Sequence, residues 1–346
     1  MNAHAERRTA LFASGAALIT VVFWASAFVG IRQVRHDFGP GPLALGRLIV
    51  GSVALGAFVG LRKLRTLSGL RRASVSPVSG GHSPVPDAVS SGSMSPGEAW
   101  IRLAVIGVLW FGVYNVALNA AERRVDAGTA SMLVNVGPIL IAALAAVVLR
   151  EGFSGQLAAG IAIAFAGVVV IGLATSDGGS ADVWGVVGCL VAAIAYAIAV
   201  VTQKPLLTSR PALVVTWIAC TIGVVVSLPY APELIRELRT ADAGNIWWIV
   251  YLGVFPTALA FTTWAYALAR TSAGRLGVST YAVPPIAILL GWWLLGEAPA
   301  GLAYLGGVLC LLGVYVSRRT PRSVRREVPT RPEEPGVGEP EVTHRA

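Results

Sequence analysis

Arg47 is a charged side chain within an early apolar segment of this chain. Burying a charge in a bilayer costs at least about 2.5 kcal/mol on insertion scales, so we treat such a residue as a functional candidate. A guanidinium can hold a carboxylate or phosphate group of a substrate through two parallel hydrogen bonds. The alternative is that Arg47 lies close enough to the helix end for its long stem to reach the lipid headgroups.

Polar and aromatic residues in other apolar segments could form a cavity wall around this charge. Asn135 and Tyr281 occupy equivalent positions of an internal repeat, close to Pro138 and Pro284. Proline removes a backbone hydrogen bond and clashes with the preceding turn, so the pair predicts two broken helices facing a central site. Kinks that only shape packing are the alternative. The predicted substrate-binding residues are Trp24, Arg47, Asn115, Asn135, Tyr196, Trp264, Thr280 and Tyr281, and further wall candidates are Tyr114, Asn119 and Tyr266.

Glu151 and Glu297 are matched acids at the ends of the fourth and ninth apolar segments. Each precedes the next predicted helix, where a negative charge suits the helix dipole, so we expect helix capping rather than proton coupling. The predicted spans contain no mid-membrane Asp or Glu, which disfavours a proton antiporter with a central carboxylate. The coupling ion is left open at this stage.

These residues must be positioned by helices that cross a bilayer. The chain has 346 residues, 55% of them hydrophobic and only 13% charged, about half the charge of soluble domains. Apolar runs of about 17–25 residues can cross a bilayer as helices. Ten such runs lie near Ala13–Ile31, Pro42–Leu61, Trp100–Ala121, Ala127–Leu149, Gly155–Leu173, Val183–Thr202, Pro211–Tyr230, Ile246–Leu268, Gly274–Leu295 and Gly301–Ser317.

The basic residues predict the orientation of these spans. With the N-terminus inside, most Lys and Arg fall in cytoplasmic segments, as the positive-inside rule requires, so both termini are expected in the cytoplasm. The net charge of +9 therefore reflects topology, and we expect no nucleic-acid partner. Five spans in each half mean that the second half is inverted relative to the first.

The internal repeat itself is read directly from the sequence. Residues 124–171 align without a gap onto residues 270–317, and the matches are concentrated in Gly, Pro and Glu. The paired glycines Gly160 with Gly167 and Gly306 with Gly313 lie on one helix face and permit close packing. We expect this packing between the fifth and tenth spans, or at the seam of a homodimer.

The predicted organisation has five parts. Residues 1–61 carry the first two helices, 62–99 form a Ser-, Pro- and Gly-rich flexible cytoplasmic loop, 100–175 complete the first repeat, 183–317 form the second repeat, and 318–346 form a disordered cytoplasmic tail. Such compositions bury too little apolar surface to order a chain.

The chain resembles the EamA family of the drug/metabolite transporter superfamily. The resemblance rests on Trp24-Ala25-Ser26-Ala27-Phe28, on Pro42 with Arg47, and on the two strings Pro138…Glu151…Gly155…Gly160…Gly167 and Pro284…Glu297…Gly301…Gly306…Gly313. It implies a bacterial inner-membrane carrier of small metabolites, often an exporter of amino acids or related compounds, that works by alternating access. It also implies a cavity near the midplane between the halves.

We therefore predict an all-α integral membrane protein with ten transmembrane helices in two inverted five-helix repeats. Spans one to four and six to nine are expected to surround the cavity, with spans five and ten at the periphery. We expect a secondary exporter with no cofactor and no metal, whose partners are a small-molecule substrate and the bilayer. All four histidines lie outside the spans, which disfavours an enzyme. A scaffold or sensor that acts through the loop and tail is the alternative.

Overall fold

A computed structural model describes residues 3–73, 94–124, 133–175, 183–295 and 301–318, and these residues are helical apart from short turns. The α-helices are α1 (Ala3–Val34), α2 (Pro40–Ala73), α3 (Pro96–Ile106), α4 (Asn115–Ala121), α5 (Gly137–Val148), α6 (Gly155–Thr175), α7 (Val183–Ser209), α8 (Ala212–Ser227), α9 (Ala231–Thr240), α10 (Ala243–Leu252), α11 (Ala260–Leu268), α12 (Ala273–Ser279), α13 (Val283–Leu295) and α14 (Gly301–Arg318).

The helices form ten apolar segments along the described chain. Seven are long and apolar enough to cross a membrane, namely Arg7–Val34, Pro40–Lys63, Pro96–Ala121, Val183–Ser209, Ala212–Thr240, Ala243–Leu268 and Ala273–Leu294. Three are shorter, namely Gly137–Val148, Gly155–Val170 and Tyr304–Ser317. The protein is thus an all-helical membrane protein, as its sequence predicts.

Two π-helical stretches interrupt the third and eighth segments. Gly107–Tyr114 joins α3 to α4, and Gly253–Leu259 joins α10 to α11. Gly107 and Gly253 are separated by the same interval as the matched residues of the sequence repeat, so both halves widen their helix at an equivalent point. Wide turns of this kind are frequently found at functional sites.

Each π-helical stretch begins with a glycine pressed against a neighbouring helix. A Cβ atom on Gly107 would lie 2.8 Å from the carbonyl oxygen of Ala219 on α8. A Cβ atom on Gly253 would lie 2.8 Å from the carbonyl oxygen of Arg47 on α2. The close approach of two backbones therefore requires glycine at both positions, and it brings the π-helical stretch of each half against the other half.

The two predicted helix breaks are present, but the prolines are not in mid-helix. Asn135 lies in a turn before α5, and Pro138 occupies the first turn of α5. In the second half a 3₁₀ turn, Thr280–Ala282, separates α12 from α13, and Pro284 occupies the first turn of α13. Proline is tolerated in a first turn because its missing N–H would have no partner there.

The predicted limits of the loops need correction. Both ends of the segment predicted as a flexible loop, residues 62–99, are helical instead, because α2 continues to Ala73 and α3 begins at Pro96. Residues 74–93 and 319–346, which include most of the predicted tail, lie outside the described residues. In the second half, the amphipathic helix α9 connects α8 to α10. The carboxylate of Glu237 on α9 accepts a hydrogen bond of 3.1 Å from the N–H of Gly39.

Helices α6 and α14 pack along the matched glycines. A Cβ atom on Gly313 would lie 2.4 Å from the backbone nitrogen of Ala164 and 2.6 Å from the carbonyl oxygen of Gly160. The thiol of Cys310 donates a 3.5 Å hydrogen bond to the carbonyl oxygen of Ala164. The glycines therefore join the fifth and tenth segments within one chain, and many other side chains of α14 are exposed at the periphery.

Substituting Gly313 tests this contact. We expect Gly313→Ala to lower the free energy of unfolding by about 1–3 kcal/mol, because the added methyl group overpacks two backbones. Gly15→Ala in α1 is the matched control, because nothing lies within 4 Å of its added Cβ atom. Thermal unfolding of both variants in detergent provides the measurement, and equal stability would contradict the packing.

Candidate functional site

An aromatic cluster lies between the two halves of the protein. Trp24 on α1 and Trp110 in the first π-helical stretch come from the first half, while Tyr196 on α7 and Phe261 on α11 come from the second. The ring centroids are 4.9 Å apart for Trp110 and Phe261, 5.3 Å for Trp110 and Tyr196, and 5.4 Å for Trp24 and Phe261. Because each half supplies two rings, a movement of one half relative to the other must rearrange this cluster.

A cavity of about 90 Å³ opens beside these rings. One water-sized volume takes about 10–15 Å³ of such space, so the cavity has room for several heavy atoms. Its wall is formed by Trp24, Ala27, Phe28, Ile31, Arg47, Trp110, Tyr114, Asn115, Leu118, Asn119, Val134, Asn135, Pro138, Tyr196, Phe261, Thr280 and Val283. Neither α6 nor α14 contributes to this wall, and α8, which was expected to surround the cavity, does not contribute either.

Arg47 is buried in the bundle rather than extended towards headgroups. It is 5% exposed and lies in the cavity wall. Its Nε donates a 3.1 Å hydrogen bond to Oγ1 of Thr257, whose hydroxyl donates a 2.8 Å bond to the carbonyl oxygen of Leu252. The Nη groups make no hydrogen bond or ion pair with the described residues. The guanidinium therefore keeps the donors with which it could bind an anion.

Two asparagines on α4 lie near Arg47 in the same wall. The amide nitrogen of Asn115 donates 3.0 Å bonds to the carbonyl oxygens of Trp110 and Phe111, which the π-helical turn leaves available. The amide nitrogen of Asn119 donates a 3.0 Å bond to the carbonyl oxygen of Pro40. With its nitrogen occupied, Asn115 retains its carbonyl oxygen as an acceptor for a ligand.

Six of the eight predicted binding residues lie in the cavity wall, and two do not. Trp264 packs behind the wall, with its ring centroid 5.1 Å from that of Trp24. Tyr281 is fully buried in a cluster with Val278 and Cys310, on the side of α14. Trp264 and Tyr281 thus support the wall from behind. The residues in the wall are Trp24, Arg47, Asn115, Asn135, Tyr196 and Thr280.

Some residues at the cavity were missed from the sequence. Trp110 and Phe261 belong to apolar runs, and their place in the wall depends on the π-helical stretches, which no residue pattern indicated. Thr257 was missed because its role is to bind Arg47 across the two halves. Among the further candidates, Tyr114 and Asn119 are in the wall, whereas Tyr266 stacks on Arg270, with its ring centroid 3.6 Å from the guanidinium carbon.

Glu151 lies at the other end of the bundle and caps a different helix from the one expected. Its Oε2 accepts a 2.7 Å hydrogen bond from the backbone N–H of Ala273, at the start of α12. Its Oε1 lies 3.0 Å from Nζ of Lys204 on α7. The next helix, α6, is capped instead by Ser154, whose hydroxyl accepts from the N–H of Leu157 at 3.2 Å. Glu297, the matched acid, lies outside the described residues.

Comparisons with known proteins agree with this architecture. A profile of the EamA-like transporter family matches residues 11–173 and, a second time, residues 183–319. The chain is 35% identical to a probable terminal-alkyne amino-acid exporter of Streptantibioticus cattleyicolor, over 91% of this chain and 96% of that protein. It is 30% identical to YdfC, an uncharacterized transporter of Bacillus subtilis, over 86% and 87% of the two chains.

A more distant sequence relative and a solved structure extend the comparison. A probable amino-acid metabolite efflux pump of Salmonella typhimurium is 27% identical over 61% of this chain and 76% of its own length. A solved crystal structure superposes with a TM-score of 0.66 at 22% identity, covering 88% of this chain and 98% of the other. At that identity the superposition shows a shared fold only.

The bond between Arg47 and Thr257 can be tested through stability. We expect Thr257→Val to lower the free energy of unfolding by about 1–3 kcal/mol, because it removes an acceptor from a buried charge. The matched control is Thr262→Val, since the Thr262 hydroxyl bonds within its own membrane segment, to the carbonyl oxygen of Ala258 at 2.7 Å. Thermal unfolding of both variants provides the measurement. Equal losses would show that the bond across the halves contributes nothing.

Proposed function

Because this chain belongs to the EamA-like transporter family, we propose that it exports amino acids with apolar side chains, or closely related compounds. The observation that carries the proposal is the buried guanidinium of Arg47 beside an aromatic cavity wall. A substrate with a carboxylate at one end and an apolar group at the other matches both features. A negatively charged side chain on the substrate would meet no such match along the aromatic rings, whose faces carry partial negative charge.

The chemistry of binding follows from the two kinds of wall. A carboxylate can accept two hydrogen bonds from the Nη groups of Arg47, a bidentate arrangement that is stronger than bonds between neutral groups. The substrate's apolar side chain would then lie against Trp24, Trp110 and Phe261, where apolar contact stabilises it by about 25 cal/mol per Å² removed from water.

The names of two relatives support the amino-acid class. One relative is described as a probable exporter of a terminal-alkyne amino acid, and another as a probable amino-acid metabolite efflux pump. Both descriptions concern those proteins. Their common chemistry, an amino acid moved outward, agrees with a cavity that offers one cation and several aromatic faces.

We propose alternating access as the mechanism. In this arrangement the end of the bundle away from Arg47 is held closed by Glu151, which connects the first half to Lys204 and to the start of α12 in the second half. Separation of these groups would open that end of the cavity. The distribution of basic residues supports placing it on the cytoplasmic side of the inner membrane, with both termini in the cytoplasm.

Exchange in proteoliposomes tests the proposal. We expect vesicles loaded with L-phenylalanine to take up labelled L-phenylalanine at least tenfold faster than protein-free vesicles, with L-leucine competing and L-glutamate not competing. Arg47→Lys keeps the charge but loses the planar donor pair, so we expect it to slow exchange at least tenfold, equivalent to about 1.4 kcal/mol.

The matched control for Arg47→Lys is Arg102→Lys, since Arg102 pairs with Glu98 on the exposed face of α3. This variant should exchange L-phenylalanine at the wild-type rate. Wild-type protein that exchanges neither L-phenylalanine nor L-leucine would overturn the proposed substrate class. Full exchange by Arg47→Lys would remove Arg47 from the binding site.

A further inference from the structure

Helix α4, which supplies three residues of the cavity wall, is followed directly by a second charged group, Glu122. We propose that the carboxylate of Glu122 binds the ammonium group of the substrate, and that a proton occupies this carboxylate when the substrate is absent. The inference rests on the proposed function, because it assumes that the substrate is an amino acid. In this role, Glu122 recognises one of the two charged groups of a zwitterion. It also couples release of the substrate to uptake of a proton.

The position of Glu122 carries the first step of the argument. Glu122 directly follows α4, immediately beyond the third apolar segment. It lies three and four residues after Asn119 and Leu118, and seven after Asn115, so the four residues share one helix face. The other three all lie in the cavity wall. The Oε1 atom of Glu122 is buried without a hydrogen-bond partner among the described residues.

The charges around Glu122 carry the second step. Arg47 on α2 and Arg32 on α1 are the cations that act on its carboxylate, and Tyr114 on its own segment and Cys189 on α7 are the other titratable groups coupled to it. Glu122 and Arg47 nevertheless form no ion pair in the described part of the chain. Opposite charges that lie near each other without contact leave a place for a ligand that carries both signs.

The two arginines that follow Glu122 in the sequence are exposed and do not fill the place between Glu122 and Arg47. The guanidinium of Arg123 donates to the carbonyl oxygens of Arg35 and Phe38, at 3.2 and 3.1 Å, and is exposed. Arg124 is exposed as well. An α-amino acid presents its ammonium and carboxylate groups on one carbon atom, so it can meet Glu122 and Arg47 together.

The carboxyl group of Glu122 can exchange a proton near neutral pH. Burial raises its pKa to about 7, against the opposing effect of Arg47 and Arg32. When the substrate binds, the carboxyl proton leaves to water at the mouth of the cavity, and the substrate ammonium keeps its three protons. No covalent bond of the substrate changes. The carboxylate of Glu122 can therefore hold either a proton or the ammonium group of the substrate. This mutual exclusion is the condition for exchanging substrate against protons.

Binding of two related probes separates this role from a structural one. L-Phenylalanine carries an ammonium group, and 3-phenylpropionate is the same molecule without it. We expect Glu122→Gln to weaken binding of L-phenylalanine at least tenfold and binding of 3-phenylpropionate less than twofold. Glu98→Gln, on the exposed face of α3, is the matched control and should leave both affinities unchanged.

The pH dependence provides a second and independent readout. A pKa of about 7 leaves roughly a tenth of Glu122 ionised at pH 6 and roughly nine tenths at pH 8, so acidification over this range should weaken L-phenylalanine binding roughly tenfold. Calorimetry in buffers of different ionisation enthalpy should detect a proton released on binding at pH 6. Neither effect is expected for 3-phenylpropionate or in Glu122→Gln.

The outcomes distinguish failure of this inference from failure of the proposed function. Wild-type protein that binds L-phenylalanine without proton release, and with an affinity unchanged in Glu122→Gln, would overturn the role of Glu122 and leave the amino-acid proposal intact. Wild-type protein that binds neither probe would overturn both. Loss of both probes in Glu122→Gln alone would show that the residue holds the cavity together rather than recognising the ammonium group.

Discussion

The buried guanidinium of Arg47 constrains the structure around it. A cation among apolar helices is stable only if hydrogen bonds compensate for the water it has lost. Thr257, from the π-helical stretch of the other half, supplies one acceptor at 3.1 Å, and its hydroxyl donates in turn to the carbonyl oxygen of Leu252. The close packing of Gly253 against the backbone of Arg47 holds the two helices at that distance. The charge, the widened helix and the glycine therefore depend on one another.

The two halves share a scaffold but contribute different chemistry to the cavity. The first half supplies Arg47 and the two asparagines of α4, the second half supplies the hydroxyl group of Thr280, and both halves supply aromatic rings. In the repeat, the position of Glu122 corresponds to Leu268, which is fully buried on α11. A symmetric pair of polar groups would make both ends of the cavity alike. Under the proposed function, this asymmetry would give a zwitterionic substrate one orientation, with its apolar part towards the aromatic cluster.

Much of the architecture was predictable because a bilayer restricts what a chain can do. Apolar length predicts spanning helices, and the repeated Gly and Pro residues predict the broken helices and the contact between α6 and α14. The cavity wall was less predictable. The positions of Trp110 and Phe261 depend on π-helical stretches that the sequence pattern does not indicate. Trp264 and Tyr281 were predicted to lie in the wall, because residue type alone does not distinguish a side chain in the wall from one packed behind it. Glu122 was not predictable from the apolar runs because it lies one residue beyond the end of the third segment.

The matched π-helical stretches bear on the history of the molecule. Their sequences, GVLWFGVY and GVFPTAL, share little beyond the initial glycine and apolar character, yet both halves retain the wide turn at the same point. Duplication of a single unit that already contained this turn and its glycine accounts for both copies. That ancestor would have assembled as two oppositely oriented copies around a shared space. Fusion into one chain then freed one copy to acquire charges without imposing them on its twin.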